Sequence, residues 1–400
     1  MAPVFLRRMK LSNRITQISP GGTDGWELYR RARAMVSSGL SVTELTQGEH
    51  DIPTDPAIVT ALHDAAKAGH TGYASIPGTP ALRQTIAARI AARTGVPTAP
   101  DNIIVTAGGQ AGLFMAHHAI CDQGDVALYI DPYYATYPGT IRSVGAVPRP
   151  ILATPENGFQ PQIAAIEAAA EGATSLLINS PNNPTGVIYN RETLQKIAEV
   201  CIRRDLWLVS DEVYDTQVWA GEHISPRTLP GMAERTLVIG SLSKSHAMTG
   251  SRIGWICGPS DAVAPLWNLA TNTNYGLPGY IQDAALFALN LGLAFEEQIA
   301  DPFKRRRAIT QRILAGQNLL KSAPIDGSMF VMLDVRPTGL TGAEFAEQLL
   351  EKHLIAVMPG DSFGQATIGH VRVAMTVADD RYAAALTQIL AFAQELAAQR

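Results

Sequence analysis

Lys244 stands in a run of small hydroxyl and glycine residues, Ser241-Leu-Ser-Lys-Ser-His-Ala-Met-Thr-Gly-Ser-Arg252. The run follows Thr236-Leu-Val-Ile-Gly240, an apolar stretch that reads as a buried strand. Burial disfavours an ammonium, lowers its pKa and leaves a neutral amine able to attack a carbonyl. That is the requirement of a Schiff-base lysine. A lysine after a strand is ordinarily a solvated loop residue, so the reading depends on what else the chain brings to the same place.

Three further segments have the same form, an apolar run closed by polar residues. Ala107-Gly-Gly-Gln-Ala-Gly112 follows Ile103–Thr106 and opens an apolar helix. Glycines there let backbone N–H groups and a helix N-terminus face an anion such as phosphate, although a tight strand-to-helix turn would use the same residues. Ser180-Pro-Asn-Asn-Pro-Thr-Gly186 follows Ser175–Asn179. Its prolines and glycine make a rigid loop, from which Asn183 can donate to a phenolate-like oxygen. In Ser210-Asp-Glu-Val-Tyr214, Asp211 closes the strand Leu206–Ser210 and Tyr214 lies three residues on. A carboxylate at the mouth of an apolar strand is costly unless a cation faces it. Lysine, aspartate, tyrosine, asparagine and an anion cradle on one sheet edge make an electron-sink site. The lysine forms an imine, the aspartate holds a pyridinium N–H and the glycine loop holds a phosphate.

The elements that must position these groups follow from the pattern of the chain. Helices are predicted over Trp26–Ser38, Ala57–Ala68 and Pro80–Thr94. From residue 102 apolar runs suited to buried strands recur at Ile103–Thr106, Val126–Ile130, Ser175–Asn179, Leu206–Ser210, Thr236–Gly240 and Ile253–Cys257. Amphipathic segments separate most of them; in Arg191–Arg204, Leu194, Ile197 and Cys201 share a face. Such alternation predicts an α/β fold, a mostly parallel sheet flanked by helices. Ligands bind outside the carboxyl ends of the strands of such a sheet, where all four loops begin.

Beyond residue 290 the rhythm changes. A long charged helical stretch, Ala294–Leu320, precedes a strand at Met329–Val335. Thr341-Gly-Ala-Glu344 is a capping box opening a helix with Phe345 and Leu349 on one face, and a strand near His370–Met375 leads to a helix from Arg381. The expected organisation is a large domain over 48–290 and a smaller α+β domain built from 1–47 and 291–400.

Composition narrows the partners. A chain of 400 residues with 46% hydrophobic and 17% charged residues has a globular profile and room for two cores. Its net charge of −4 argues against nucleic acid or an anionic membrane as the main partner. Cys121, Cys201 and Cys257 are scattered in apolar contexts, which fits free thiols in a reducing compartment, and no metal-ligand spacing is present. The basic start lacks an apolar stretch behind it and no apolar run is long enough to span a bilayer, so a cytoplasmic location is expected.

With these motifs in place, the chain resembles the class I/II pyridoxal-phosphate-dependent aminotransferases, the aspartate aminotransferase class of fold type I. The match runs from Ser12 to the C-terminus, and Asn183-Pro-Thr-Gly186, Asp211-x-x-Tyr214 and Ser241-x-Ser-Lys with Arg252 carry it. The resemblance implies pyridoxal 5'-phosphate as cofactor, an amino acid and a 2-oxo acid as substrates, and a homodimer with shared active sites. By it, Lys244 forms the internal aldimine and moves the Cα proton through a quinonoid. Asp211 pairs with the pyridine nitrogen, while Asn183 and Tyr214 bind the ring oxygen. Gly109, Gln110, Ser241, Ser243 and Arg252 surround the phosphate, and Tyr134 stacks on the ring. Tyr73 reaches the phosphate of the neighbouring subunit. Arg372 grips the substrate α-carboxylate, with Gly48 and Asn183 beside it.

Two departures concern substrate choice. The usual Gly-x-Pro-Asp is here Gly48-Glu-His-Asp51, with His50 in place of proline, and Gly21 stands where relatives often carry serine. The stretch Thr271–Tyr280, where some aspartate-specific relatives place a second arginine, has no cation. Neutral or aromatic amino acids are therefore expected to react at least as well as aspartate, unless Gln110, His50 or the other subunit supplies the missing contact. Other readings compete. Ser241-x-x-Lys244 fits a serine–lysine acyl enzyme, but the Lys-Thr-Gly and Ser-Asp-Asn that reading requires are absent. A transcription regulator on this fold would need a helix-turn-helix domain and a basic face. Another reaction on the same cofactor, such as β-elimination (a C–S lyase), stays open.

Overall fold

The computed structural model describes residues 9–20 and 25–399. Among them twelve strands form two sheets. In chain order these are β1 (Thr43–Leu45), β2 (Ile103–Thr106), β3 (Val126–Asp131), β4 (Val147–Leu152), β5 (Ala173–Asn179), β6 (Trp207–Asp211), β7 (Thr236–Ser241), β8 (Gly254–Cys257), β9 (Lys321–Ser322), β10 (Phe330–Asp334), β11 (Ile355–Pro359) and β12 (His370–Ala374).

The larger sheet has the order β2-β8-β7-β6-β5-β3-β4. β8 alone is reversed, pairing antiparallel with both β7 and β2, so the other six strands point the same way. Alternate side chains enter opposite faces. Leu176, Ile178 and Leu208 pack with Leu194 and Ile197 of the helix Arg191–Arg203. Leu177, Val209 and Ile239 pack on the other face with Leu113 and Ala116 of the helix Gly108–Ile120. The helix Arg191–Arg203 starts where Asn190 accepts from the Thr193 N–H, and it buries Leu194, Ile197, Val200 and Cys201. Each large apolar side chain so buried contributes about 1.5–3 kcal/mol. A sheet covered on both faces is the predicted architecture.

The smaller sheet has the order β1-β11-β12-β10-β9, with β1 parallel to β11 and the other pairs antiparallel. The helices Gly342–His353 and Asp379–Ala398 cover it through Phe345, Leu349, Leu386 and Phe392. The Thr341–Glu344 capping box is formed, with the Thr341 hydroxyl accepting from the Glu344 N–H. Between Leu333 and Val371 on facing strands the core is fully buried.

Some boundaries differ from the sequence reading, each for a local reason. The charged helix, expected to reach Leu320, spans Gly292–Leu314. Gly316 turns the chain at φ +77, and the Gln317 side chain caps the exit, bonding the carbonyls of Leu314 and Leu320 and the N–H groups of Leu319 and Leu320. The last helix begins at Asp379, not Arg381. β4 went unpredicted because Pro148 and Pro150 interrupt it; proline is tolerated there since β4 lies at the sheet edge. Gly21 lies outside the described residues.

Candidate active site

The carboxyl ends of β2, β5, β6 and β7 meet β10 and β12 of the smaller sheet around a cavity of about 370 Å³. Its walls include Gly48, Gly109, Gln110, Tyr134, Asn183, Asp211, Tyr214, Ser241, Ser243, Lys244, Arg252 and Arg372. Every residue nominated for the cofactor, the catalytic groups and the α-carboxylate is therefore on one cavity except Tyr73. That side chain is 91% exposed, with its ring edge-on to Tyr275 at 5.0 Å between centroids.

Lys244 lies in the helical turn Leu242–Ser245 that follows β7. The Ser241 hydroxyl starts the turn by accepting from the Ser243 N–H at 3.0 Å. The lysine ammonium donates to the Gly48 carbonyl. Burial pulls its pKa down to about 8; Glu49 and Asp211 oppose the shift, and Arg372 and Arg252 add to it.

Asp211, at the end of β6, is 4% exposed. Its carboxylate accepts from the Tyr137 hydroxyl at 2.6 Å and the Val213 N–H at 3.3 Å, neither a cation. Burial pushes its pKa up to about 6, and these two donors restrain the rise. Asn179 knits β5 to β6, donating to the Asp211 carbonyl at 2.9 Å and accepting from the Asn183 N–H at 2.7 Å. Burial also pushes the Tyr214 phenol up; the hydrogen bond with Asn183 acts against this. The Tyr134 ring stands edge-on to Tyr137, 5.8 Å between centroids.

Opposite Lys244, the helix Gly108–Ile120 points its N-terminus at the cavity. Gly108 has φ +80, and a Cβ there would overlap the Arg252 guanidinium. Arg252 itself is left-handed at φ +50, with Nη1 donating to the Thr249 carbonyl at 2.8 Å. Ser241 and Ser243 hydroxyls lie 2.9 Å apart beside it. Backbone N–H groups, two hydroxyls and an exposed guanidinium make an anion cradle. The Gln110 side chain is held aside by Thr136 and Thr140, both at 2.8 Å, so its contribution to that cradle is its backbone.

Arg372 is 1% exposed and has no carboxylate partner among the described residues. Nη1 donates to Asn183 Oδ1 at 2.7 Å, Nη2 to the Thr46 carbonyl, and Nε has no partner. The guanidinium is sandwiched between Phe330 and Phe363, at 4.1 and 4.3 Å from the ring centroids. Burial lowers its pKa to about 10. A buried cation among neutral partners is costly, and the cost is offset when an anion enters.

Sequence reasoning missed Tyr137, Asn179, Thr46, Phe330 and Phe363. Tyr137 lies in the aromatic-rich segment after β3 and was within reach; the others are brought in by the tertiary fold alone. His50 does not line the cavity. It is buried edge-on to Phe303 at 5.3 Å, and burial lowers its pKa to about 3, so it supplies no cation there. Among the described residues no group of His, Cys, Asp and Glu could hold a metal ion.

The donor set fits pyridoxal phosphate. A carboxylate that wants a cation, a lysine with a lowered pKa and an anion cradle meet that molecule's pyridine nitrogen, aldehyde and phosphate in turn.

Comparison with known proteins agrees. Residues 39–389 match the model of the family described as aminotransferase class I and II. An arginine–pyruvate transaminase of Pseudomonas aeruginosa is 39% identical over 98% of this chain and 100% of its own. A probable aspartate/prephenate aminotransferase of Thermus aquaticus is 34% identical over 96% and 99%. The structure of Thermus thermophilus aspartate aminotransferase with maleate superposes with a TM-score of 0.89 at 32% identity, covering 96% of this chain and 100% of that one. Relatives that carry these names favour transamination over the β-elimination that the sequence left open. The chain belongs to the class I and II aminotransferases, enzymes that use pyridoxal 5'-phosphate to move an amino group from an amino acid to a 2-oxo acid.

Proposed function

We propose that the amino-group donor is an α-amino acid without a second carboxylate, gripped through its α-carboxylate by Arg372. The observation that carries this is the buried Arg372 guanidinium, held between two aromatic rings and, among the described residues, with neutral partners only. Of the cavity's described cations, Lys244 is the amine and Arg252 stands at the anion cradle, so none of them is left for a side-chain carboxylate. The unassigned charged wall residue, Glu49, is negative, and Thr249 donates to it at 2.8 Å. An acidic side chain would lose its water without gaining a partner. The transaminase of Pseudomonas aeruginosa that names arginine as donor makes a cationic side chain a natural member of the test set.

In this reading Asp211 would hold the pyridine nitrogen protonated, Asn183 and Tyr214 would bind the ring oxygen and Tyr134 would stack on the ring. Gly109, Gln110, Ser241, Ser243 and Arg252 would hold the phosphate. When bound, pyridoxal phosphate supplies the conjugated system that accepts the electron pair from the substrate Cα–H bond. Lys244 would anchor the cofactor at rest, and its neutral Nζ, once free, would be the base placed to hold the substrate's Cα proton. Arg372, with Gly48 and Asn183, orients the substrate so that this hydrogen faces Lys244.

Residues 48–290 form the cofactor-bearing domain, and 1–47 with 291–400 form the one that brings Arg372. The working unit is a homodimer in which Tyr73, exposed on one protomer, completes the partner's phosphate site. Buried free Cys121, Cys201 and Cys257 support a reducing, cytoplasmic setting. No helix of the described residues is long and apolar enough to cross a membrane.

The deciding experiment is a panel of half-reactions with the twenty amino acids, following the visible absorbance of the bound cofactor. Neutral, aromatic or basic amino acids should at least equal aspartate and glutamate in kcat/KM. A tenfold or greater advantage for aspartate or glutamate over all others overturns the proposal. Sedimentation tests the dimer, since a fully active monomer excludes a shared site.

A further inference from the structure

Asp131, the last residue of β3, has a 1% exposed carboxylate that reaches across to the smaller sheet. Oδ2 accepts from the Gln365 N–H at 2.8 Å and Oδ1 from the Ala366 N–H at 3.1 Å. Gly364, at φ +121, makes the approach possible, because a Cβ there would overlap the carboxylate. Two residues after Asp131, the Tyr133 N–H donates to the Phe363 carbonyl at 2.9 Å. The segment Gly360–Thr367 is thus fastened to the end of β3 by three hydrogen bonds. On that segment sits Phe363, fully buried, one of the two rings that enclose Arg372. On the other side of the fastening sits Tyr134, on the cavity wall.

We propose that Asp131 is a positioning residue for substrate recognition: its carboxylate latches Gly360–Thr367 to the larger sheet and thereby holds Phe363 against Arg372. A carboxylate is suited to this, since it accepts from both N–H groups at once, as at a helix N-terminus. Without it the two donors lose their partners and the segment loses its tie. Phe363 then no longer confines the guanidinium, and an arginine free to swing presents its fork less often in the receiving orientation. Asp211, Lys244 and Arg252 stand on other elements, the end of β6 and the loop between β7 and β8. The inference rests on Arg372 being the carboxylate anchor.

The test compares Asp131→Asn, Gly364→Ala, Phe363→Leu and Arg372→Leu holoenzymes. Asp131→Asn keeps the shape but turns an amide donor toward one N–H, and Gly364→Ala pushes the carboxylate away with its charge intact. For both, KM for the amino acid and the inhibition constant of an unreactive carboxylate, 3-phenylpropanoate, should rise about tenfold, with kcat within about twofold and the cofactor's visible band unchanged. Phe363→Leu should move the same two constants in the same direction. Asp131→Glu, which keeps the charge, should recover part of the loss. A fall in kcat without a change in KM, or no change in either, overturns the latch; so does a normal KM in Gly364→Ala should Asp131→Asn not fold. If Arg372→Leu leaves KM and inhibition unaltered, the carboxylate-anchor reading itself is wrong; if Arg372→Leu raises them and the latch variants do not, only the latch fails.

Discussion

The Tyr137 hydroxyl donates to Asp211 Oδ2 at 2.6 Å, so the carboxylate at the heart of the site is charge-stabilised by a phenol before any cofactor arrives. Burial has already pushed Asp211 up to about 6, and Tyr137 is the largest influence restraining it. Tyr137→Phe removes a donor that favours the ionised form, so the pKa must rise further. A hydrogen bond to a charged group contributes about 1.5–3 kcal/mol, which corresponds to roughly one to two pH units. Cofactor affinity of the apo-protein, measured from pH 5 to 8, should fall off at correspondingly higher pH in the variant. Superimposable curves would remove this role from Tyr137.

Lys244 titrates near 8 because burial disfavours its ammonium. As pH rises through that value the neutral amine becomes the major form, whereas an ordinary lysine stays protonated until about 10.4. The rate at which the apo-protein takes up pyridoxal phosphate should therefore rise between pH 7 and 9 and level off above. Lys244→Ala should abolish covalent uptake and lower turnover by at least about 10²–10⁴, the usual contribution of a positioned acid–base group. Turnover near the wild-type rate in that variant would disprove the assignment.

Arg372, the proposed carboxylate anchor, has a planar fork between Phe330 and Phe363, a geometry that a lysine ammonium does not reproduce. Loss of one partner of a buried charge pair costs about 2–5 kcal/mol, or roughly 30-fold to several thousand-fold in kcat/KM. Arg372→Lys should fall at the lower end of that range and Arg372→Leu at the upper end. Steady-state kinetics at subsaturating amino acid provide the check.

Gly108→Ala addresses the phosphate cradle alone. The new methyl meets the tip of the Arg252 side chain rather than backbone, so the fold should persist while the guanidinium moves off. Alanine at φ +80 adds strain of about 1–2 kcal/mol. Affinity for pyridoxal phosphate should drop about tenfold or more, with affinity for unphosphorylated pyridoxal little changed. Equal losses for the two ligands would mean that the cradle does not bind the phosphate.

The sequence made the larger sheet readable because its strands are uninterrupted apolar runs ending in polar loops, as in Thr236–Gly240 before Lys244. β1 and β11 were invisible as strands: three and five residues long, they are defined by pairing with each other rather than by pattern. Lys244 and Asp211 stood out by residue type and position and Arg372 by the resemblance alone, and the structure brings all three onto one cavity. The setting of each was not legible. Phe363 reaches Arg372 through a loop of 3-10 turns, and Asp131 reaches that loop from the far side of the other sheet. Neither contact leaves a periodicity or a motif, since both depend on how the two sheets are placed against one another.

The reversed strand β8 has a kinetic meaning. Ser241 of β7 pairs directly with Gly254 of β8, so the segment bearing Lys244 and Arg252 is a closed loop with both feet on one ladder rung. Asp211 stands on the adjacent strand, bonded in register with Ile239. These three residues consequently share one continuous hydrogen-bonded ladder. Arg372 and Phe363 belong to the smaller sheet and its loops. Any breathing of one sheet against the other changes the distance from the amine to the incoming carboxylate while leaving the amine-to-phosphate span constant. Lys244, Arg252 and Asp211 thus share one ladder, while Arg372 and Phe363 answer to another, so the two halves of the cavity are set by separate sheets.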